Sequence, residues 1–100
     1  MSAELPELLS ARELCERYPT PGVTADAWGY WLLKWREAGK LQQGAHYMLA
    51  MRGGDRPAFC YREKCVLRLI KAHKRLDNKF CQEICRTHGV AIFHLLNLQS

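Results

Sequence analysis

Asp26, Tyr30, Leu33 and Lys34 lie in the stretch ADAWGYWLLKW, interleaved with Trp28, Trp31 and Trp35. On a helix, Trp28, Trp31, Leu32 and Trp35 fall at i, i+3, i+4 and i+7 and make one apolar stripe. The first four residues then face away from it, with Glu37. Their chemistry suits a DNA groove. Lys34 can donate to a guanine edge or a phosphate, Asp26 can accept from a cytosine amino group, and Tyr30 and Leu33 can touch thymine methyls. An ordinary solvated helix face would have a similar composition, but a tyrosine and a leucine beside a lysine favour a contact surface.

Two further sets of cations suit a polyanion. Arg52 and Arg56 flank Gly53-Gly54-Asp55, a narrow flexible turn that could carry guanidinium groups into the negative potential of a minor groove. A polar turn is also normal on any soluble protein, and Asp55 could pair with either arginine. Lys64, Arg68, Lys71 and Arg75 recur at spacings of four, three and four, one cationic stripe along a helix. Like charges on one face repel mildly. Phosphates would relieve that and, with Lys40, add affinity without sequence preference. The alternative is again a solvated face.

Catalytic patterns are missing. The chain has no Gly-rich phosphate loop, nucleophile elbow or paired-carboxylate motif, and His46, His73, His88 and His94 have no evident acidic partner. Cys60-x4-Cys65 and Cys81-x3-Cys85-x2-His88 offer thiolate and imidazole groups of the kind that hold zinc. No tight CxxC pair occurs, however, and Cys81 and Cys85 fall on the apolar stripe of a helix, where free cysteine acts as a small hydrophobe. The reading is a binding protein without cofactor or metal, with zinc on Cys81, Cys85 and His88 as the minor alternative.

The elements that must position these residues follow from local signals. Ser10-Ala11-Arg12-Glu13 has the form of a capping box and opens a short helix with Ala11, Leu14, Cys15 and Tyr18 inward. Pro19-Thr20-Pro21-Gly22 stops it. Thr24 caps the tryptophan helix, Asp26 lies near its positive end, and Gly39 terminates it. AHYMLAM and PAFCY, around the Gly-Gly turn, read as a β-hairpin with Pro57 starting an edge strand. A third helix runs from about residue 62 to 76, with Val66, Leu69, Ile70 and His73 inward. A fourth, from about 78 to 87, uses Phe80, Cys81, Ile84 and Cys85 and ends at Gly89. VAIFHLL beyond it suits a buried strand or a helical turn. The fold class is mainly α with a small β-hairpin (α+β).

One hundred residues make one small domain. The apolar fraction of 48% and charged fraction of 25% exclude wholesale disorder. The net charge of +5 is unevenly spread: residues 1–30 hold two basic and five acidic groups, and residues 61–100 hold eight and three. That asymmetry points to a polyanionic partner for the later part of the chain. The N-terminus is acidic and unlike a signal peptide, and no segment approaches the ~20 apolar residues of a membrane span. The expected location is the cytoplasm, with all five cysteines reduced and no membrane partner.

From Leu9 to Ile70 the chain resembles the excisionase and MerR-like winged helix-turn-helix DNA-binding domains. The likeness rests on Leu9-Ser10-Ala11-Arg12-Glu13-Leu14-Cys15 as opening helix and on Trp35-Arg36-Glu37-Ala38-Gly39-Lys40-Leu41 as the Trp-x-x-x-Gly-Lys-Leu end of a recognition helix. It extends to Tyr61-Arg62-Glu63 running into Val66-Leu67-Arg68-Leu69-Ile70, like the return from wing to helix. The resemblance implies a domain over residues 1–76, with helix 24–38 in the major groove and residues 51–56 as a wing in the minor groove. It also implies double-stranded DNA as partner, in dimers or cooperative arrays. Family members belong to phages, plasmids and integrative elements; many steer an integrase towards excision, and others regulate transcription. Two features depart from the pattern. The turn YPTPGVT is longer and richer in proline than usual, and residues 77–100 have no counterpart in the minimal domain. That apolar extension would complete the core, pair two copies, or dock an integrase. A protein–protein adaptor for an integrase or polymerase is the rival reading.

Overall fold

The opening helix starts where its capping box places it. Ser10 Oγ accepts from Glu13 N at 3.2 Å, and Glu13 Oε1 accepts from Ser10 N at 2.9 Å. In the computed structural model, which describes residues 8–51, 56–74 and 78–97, this helix is α1 (Ala11–Arg17). A short strand immediately precedes it, β1 (Leu8–Ser10), so Leu9, which the resemblance places in the opening helix, belongs to a strand. After α1, Val23 N donates to Thr20 O at 3.0 Å and Gly22 takes φ +79. Proline followed by a left-handed glycine is the signature of a type II turn, so the proline-rich connection is compact.

Helix α2 (Ala25–Glu37) is capped by Thr24, whose Oγ1 accepts from Ala27 N at 3.2 Å. It ends in a Schellman motif. Gly39 lies at φ +78, its N–H meets Arg36 O at 3.1 Å, and Lys40 N–H reaches Trp35 O at 2.9 Å. Leu41, next in the chain, is buried. Both glycines occupy the left-handed region that other residues reach only at a cost of roughly 1–2 kcal/mol.

Strands β2 (Tyr47–Met51) and β3 (Pro57–Arg62) form the hairpin, and β1 pairs with the other side of β3. The sheet is antiparallel in the order β1-β3-β2, with Leu9 opposite Tyr61 and Tyr47 opposite the same residue. Pro57 therefore begins the central strand rather than an edge strand. As its first residue, facing Met51, it is placed where a missing N–H is tolerated.

Helix α3 (Glu63–His73) buries Val66, Leu67 and Ile70, while Leu69 and His73 are half-buried. Its inward face is thus turned towards Leu67 relative to the expected one. Helix α4 (Lys79–Asn97) runs through Gly89 instead of ending there, so VAIFHLL is helical. The local terminator is marked only by a break at His88 (φ −121, ψ 15), beyond which Ile92 is again fully buried. The ring nitrogen His88 Nε2 donates to Pro19 O at 2.7 Å, fixing the break against the α1–α2 turn.

Phe80 of α4 shows what the tryptophan stripe packs on. Its ring lies 5.1 Å from that of Trp28 in an edge-on contact, 6.1 Å from Trp31 nearly parallel, and 6.3 Å from Trp35. Trp28, Leu32 and Trp35 are buried and Trp31 is half-buried. Phe80, Cys81, Ile84 and Ile92 share one core with Leu14, Val66 and Ile70, so residues beyond 77 complete the domain. Among the described residues no helix is long and apolar enough to cross a membrane.

Candidate nucleic-acid interface

The residues read as base contacts form one solvent-facing strip on α2. Asp26, Tyr30, Leu33, Lys34 and Glu37 are all exposed, Tyr30 by 52% and Leu33 by 39%. The core takes the other face of the helix, which leaves these two large side chains to solvent. Tyr30 is held at its edge by Trp31, 5.3 Å between centroids, and Lys34 Nζ lies 5.6 Å from the Tyr30 ring. The strip presents a cation, a phenol and an aliphatic group within two turns.

At the end of α2, Arg36 ties the strip to the hairpin. Its guanidinium carbon is 3.7 Å from the Phe59 ring centroid and 5.8 Å from that of Tyr47, and Nε donates to Tyr61 Oη at 3.0 Å. Tyr47, Leu49 and Met51 pair in register with Tyr61, Phe59 and Pro57, so these side chains share one face of the sheet. Sequence reasoning passed over Arg36. The signal was the alternation of Tyr47 with Leu49 and Met51, and of Phe59 with Tyr61, an apolar and aromatic face that a guanidinium can cover. Burial pushes the Tyr61 hydroxyl above its usual value and the Arg36 charge opposes that. Arg36→Leu should therefore move the Tyr61 titration higher still, read from tyrosinate absorbance. It should also lower the unfolding free energy by about 1–2 kcal/mol in urea. An unchanged Tyr61 titration would dissolve the link between helix and hairpin.

The residues read as a wing are partly in view. Arg56 is exposed at the start of the return strand, whereas Arg52, with Gly53, Gly54 and Asp55, lies outside the described residues. Met48, Leu49 and Met51 of β2 are exposed, a feature the sequence reading did not single out.

The residues read as phosphate contacts separate into two places. Lys40 is exposed just past the end of α2, beside the strip. Lys64, Arg68 and Lys71 stand on α3 and Arg75 lies outside the described residues. Helix α3 meets α2 on the tryptophan side, where His73 and Trp35 are 5.5 Å apart, and packs chiefly on α4. Lys71 Nζ is 5.3 Å from the Phe93 ring of α4. The α3 stripe is thus not part of the α2 strip. Elsewhere Arg17 pairs with Glu63 at 3.1 Å and Tyr18 donates to the same carboxylate, joining α1 to the start of α3.

Cys81, Cys85 and His88 do not assemble as ligands. Cys81 is fully buried and its thiol is pushed up to about 12 by desolvation, with Cys85 adding to the rise. Burial also raises Cys85, against the opposing charges of Lys74 and Lys71. His88 is engaged with Pro19 and packs edge-on against Tyr18 at 5.4 Å. Among the described residues no group of three histidine, cysteine or acidic side chains could hold a metal ion. The raised Cys81 thiol carries a pH signature. The unfolded chain releases this proton near pH 9 and the folded one near 12, so stability should be full below about pH 9 and fall as pH rises towards 12. Urea midpoints across that range should decline less steeply in Cys81→Ala; equal slopes would assign the decline to other groups.

The chain matches no known family, no curated protein and no solved structure.

Proposed function

We propose that this protein is a winged helix-turn-helix DNA-binding protein of the excisionase and MerR-like kind, acting by binding and not by catalysis. Helix α2 would lie in the major groove, with Lys34, Tyr30, Leu33 and Asp26 at base edges. Arg56, with Arg52, would reach the neighbouring minor groove from the hairpin, and Lys40 would meet phosphate. The observation that carries this reading is the exposed Tyr30–Leu33–Lys34 strip, on a helix whose back is fixed by three tryptophans and whose end is bound to the hairpin through Arg36. That contact joins the end of α2 to the strands of the hairpin, which supports a reading in which helix and hairpin meet one duplex together. A role on a mobile element, as a factor steering an integrase towards excision or as a transcription regulator, follows from the resemblance of residues 9–70.

The test is fluorescence anisotropy of a mixed-sequence duplex titrated with the full chain at several salt concentrations. The slope of log K against log salt counts the cations that neutralise phosphate charge. With Lys34, Lys40, Arg52 and Arg56 alone on the duplex, the slope becomes roughly −3 to −4, and with the α3 stripe as well it steepens towards about −6. Lack of binding even at low salt would overturn the proposal.

A further inference from the structure

Beyond His88, α4 turns an apolar side to solvent next to Arg68 and Lys71 of α3. Val90 is 85% exposed and Phe93 58%, although Ile92 between them is buried. Arg68 and Lys71 line a shallow groove with Ala72, Leu96 and Asn97. Lys71 lies over Phe93, and among the described residues no carboxylate pairs with Arg68 or Lys71. The α2 strip does not use this surface, and of Val90, Phe93 and Leu96 only Leu96 also packs against the core.

We propose that the α3–α4 groove binds an acidic amphipathic helix of another protein. Two cations one helical turn apart call for carboxylates at i and i+3 or i+4 on the facing helix, the spacing at which side chains share a face. The apolar residues between those carboxylates would cover Phe93, Val90 and Leu96, as amphipathic helices do in apolar grooves. Phosphates alone would satisfy Arg68 and Lys71 but leave Phe93 and Val90 in water, whereas protein interfaces place aromatic side chains and arginine together at their centre. A two-fold contact centred on the groove would set its lining against itself, and that lining, Arg68, Lys71, Ala72, Leu96 and Asn97, holds no carboxylate to meet the two cations. The complement this surface asks for is negative and apolar at once.

The probe is a labelled model peptide of roughly 18 residues, about five helical turns, with leucines along one stripe and glutamates flanking them. Controls are a scrambled peptide and one with lysine for glutamate. With the full chain at about 0.1 M salt, where screening still leaves close pairs effective, the acidic helix should bind and both controls should not. Phe93→Asp and the pair Arg68→Glu with Lys71→Glu should each weaken binding by about tenfold or more, the loss typical of a truncated interface anchor or charge pair. Because these side chains are at the surface, thermal unfolding should stay unchanged. A saturating DNA duplex should leave the peptide bound. Equal binding of the scrambled peptide, no binding of the acidic one, or its displacement by duplex overturns the proposal. Self-association in sedimentation that Phe93→Asp abolishes also overturns it, since the occupant is then a second copy. The peptide titration needs no DNA, so a protein that binds peptide and no duplex would sink the DNA reading and keep this one.

Discussion

Phe80→Ala should lower the unfolding free energy by about 3–5 kcal/mol, the range for removing a buried aromatic side chain. The upper part applies because the surroundings collapse poorly. Trp28, Trp31 and Trp35 all touch the Phe80 ring, and each is a rigid plane held by the α2 backbone. An empty space among three indoles cannot be filled by a change of rotamer. A domain of this size has about 5–15 kcal/mol in total, so the variant should melt far earlier and unfold at much lower urea. Phe80→Leu, which keeps most of the volume, should cost less, and Phe93→Ala, at a surface position, should fall within about 0.5 kcal/mol of the parent. Tryptophan fluorescence follows the loss directly, because the reporters line the cavity. A cost under about 1 kcal/mol for Phe80→Ala would mean that α4 lies on the domain without belonging to its core.

This expectation also marks the limit of what the sequence could disclose. The spacing of Trp28, Trp31, Leu32 and Trp35 names a buried face, and the structure buries it. Spacing cannot say what covers a face, and Phe80 comes from the far end of the chain. Signals that act over a few residues were legible for the same reason. The Ser10–Glu13 box, the Thr24 cap and the Gly39 terminus are each complete within one turn of backbone. Tertiary contacts overrode local cues in three places. Leu8–Ser10 is too short to show alternation and becomes a strand only because β3 offers it an edge. Gly89 is a good terminator in isolation, but burial of Ile92 and the His88–Pro19 hydrogen bond carry α4 past it. On α3 the stripe Lys64, Arg68 and Lys71 was visible, whereas the helix it adjoins was not, so its assignment to DNA had no geometric basis. Arg36 was hidden because its partners, Phe59 and Tyr61, come from a different element, and periodicity within α2 places it on neither face.

Lys34→Glu combined with Lys40→Glu should weaken duplex binding by about 30- to 100-fold at moderate salt and make the salt slope shallower by about two. Both side chains are exposed, at opposite sides of the Schellman terminus of α2, so the fold should survive and circular dichroism should not change. Each substitution removes a cation from the phosphate path and adds an anion to it, which is why the loss exceeds that of two alanines. Charge reversal is informative here because it separates the two cationic regions. Arg68→Glu with Lys71→Glu changes the net charge by the same amount on α3, away from the α2 strip. If binding depended only on the overall charge of the molecule, the two pairs would weaken it equally. If α2 meets the duplex, the α3 pair should leave affinity within about threefold and the slope nearly unmoved, because the Debye length near 0.1 M salt is only about 10 Å. Tyr30→Ala adds the remaining distinction. Loss of a base-edge contact should reduce the preference for one sequence over another by about 1 kcal/mol or more, with little effect on the salt slope. Equal effects from the α2 and α3 pairs would move the interface off α2 and leave the exposed Tyr30 and Leu33 to another partner.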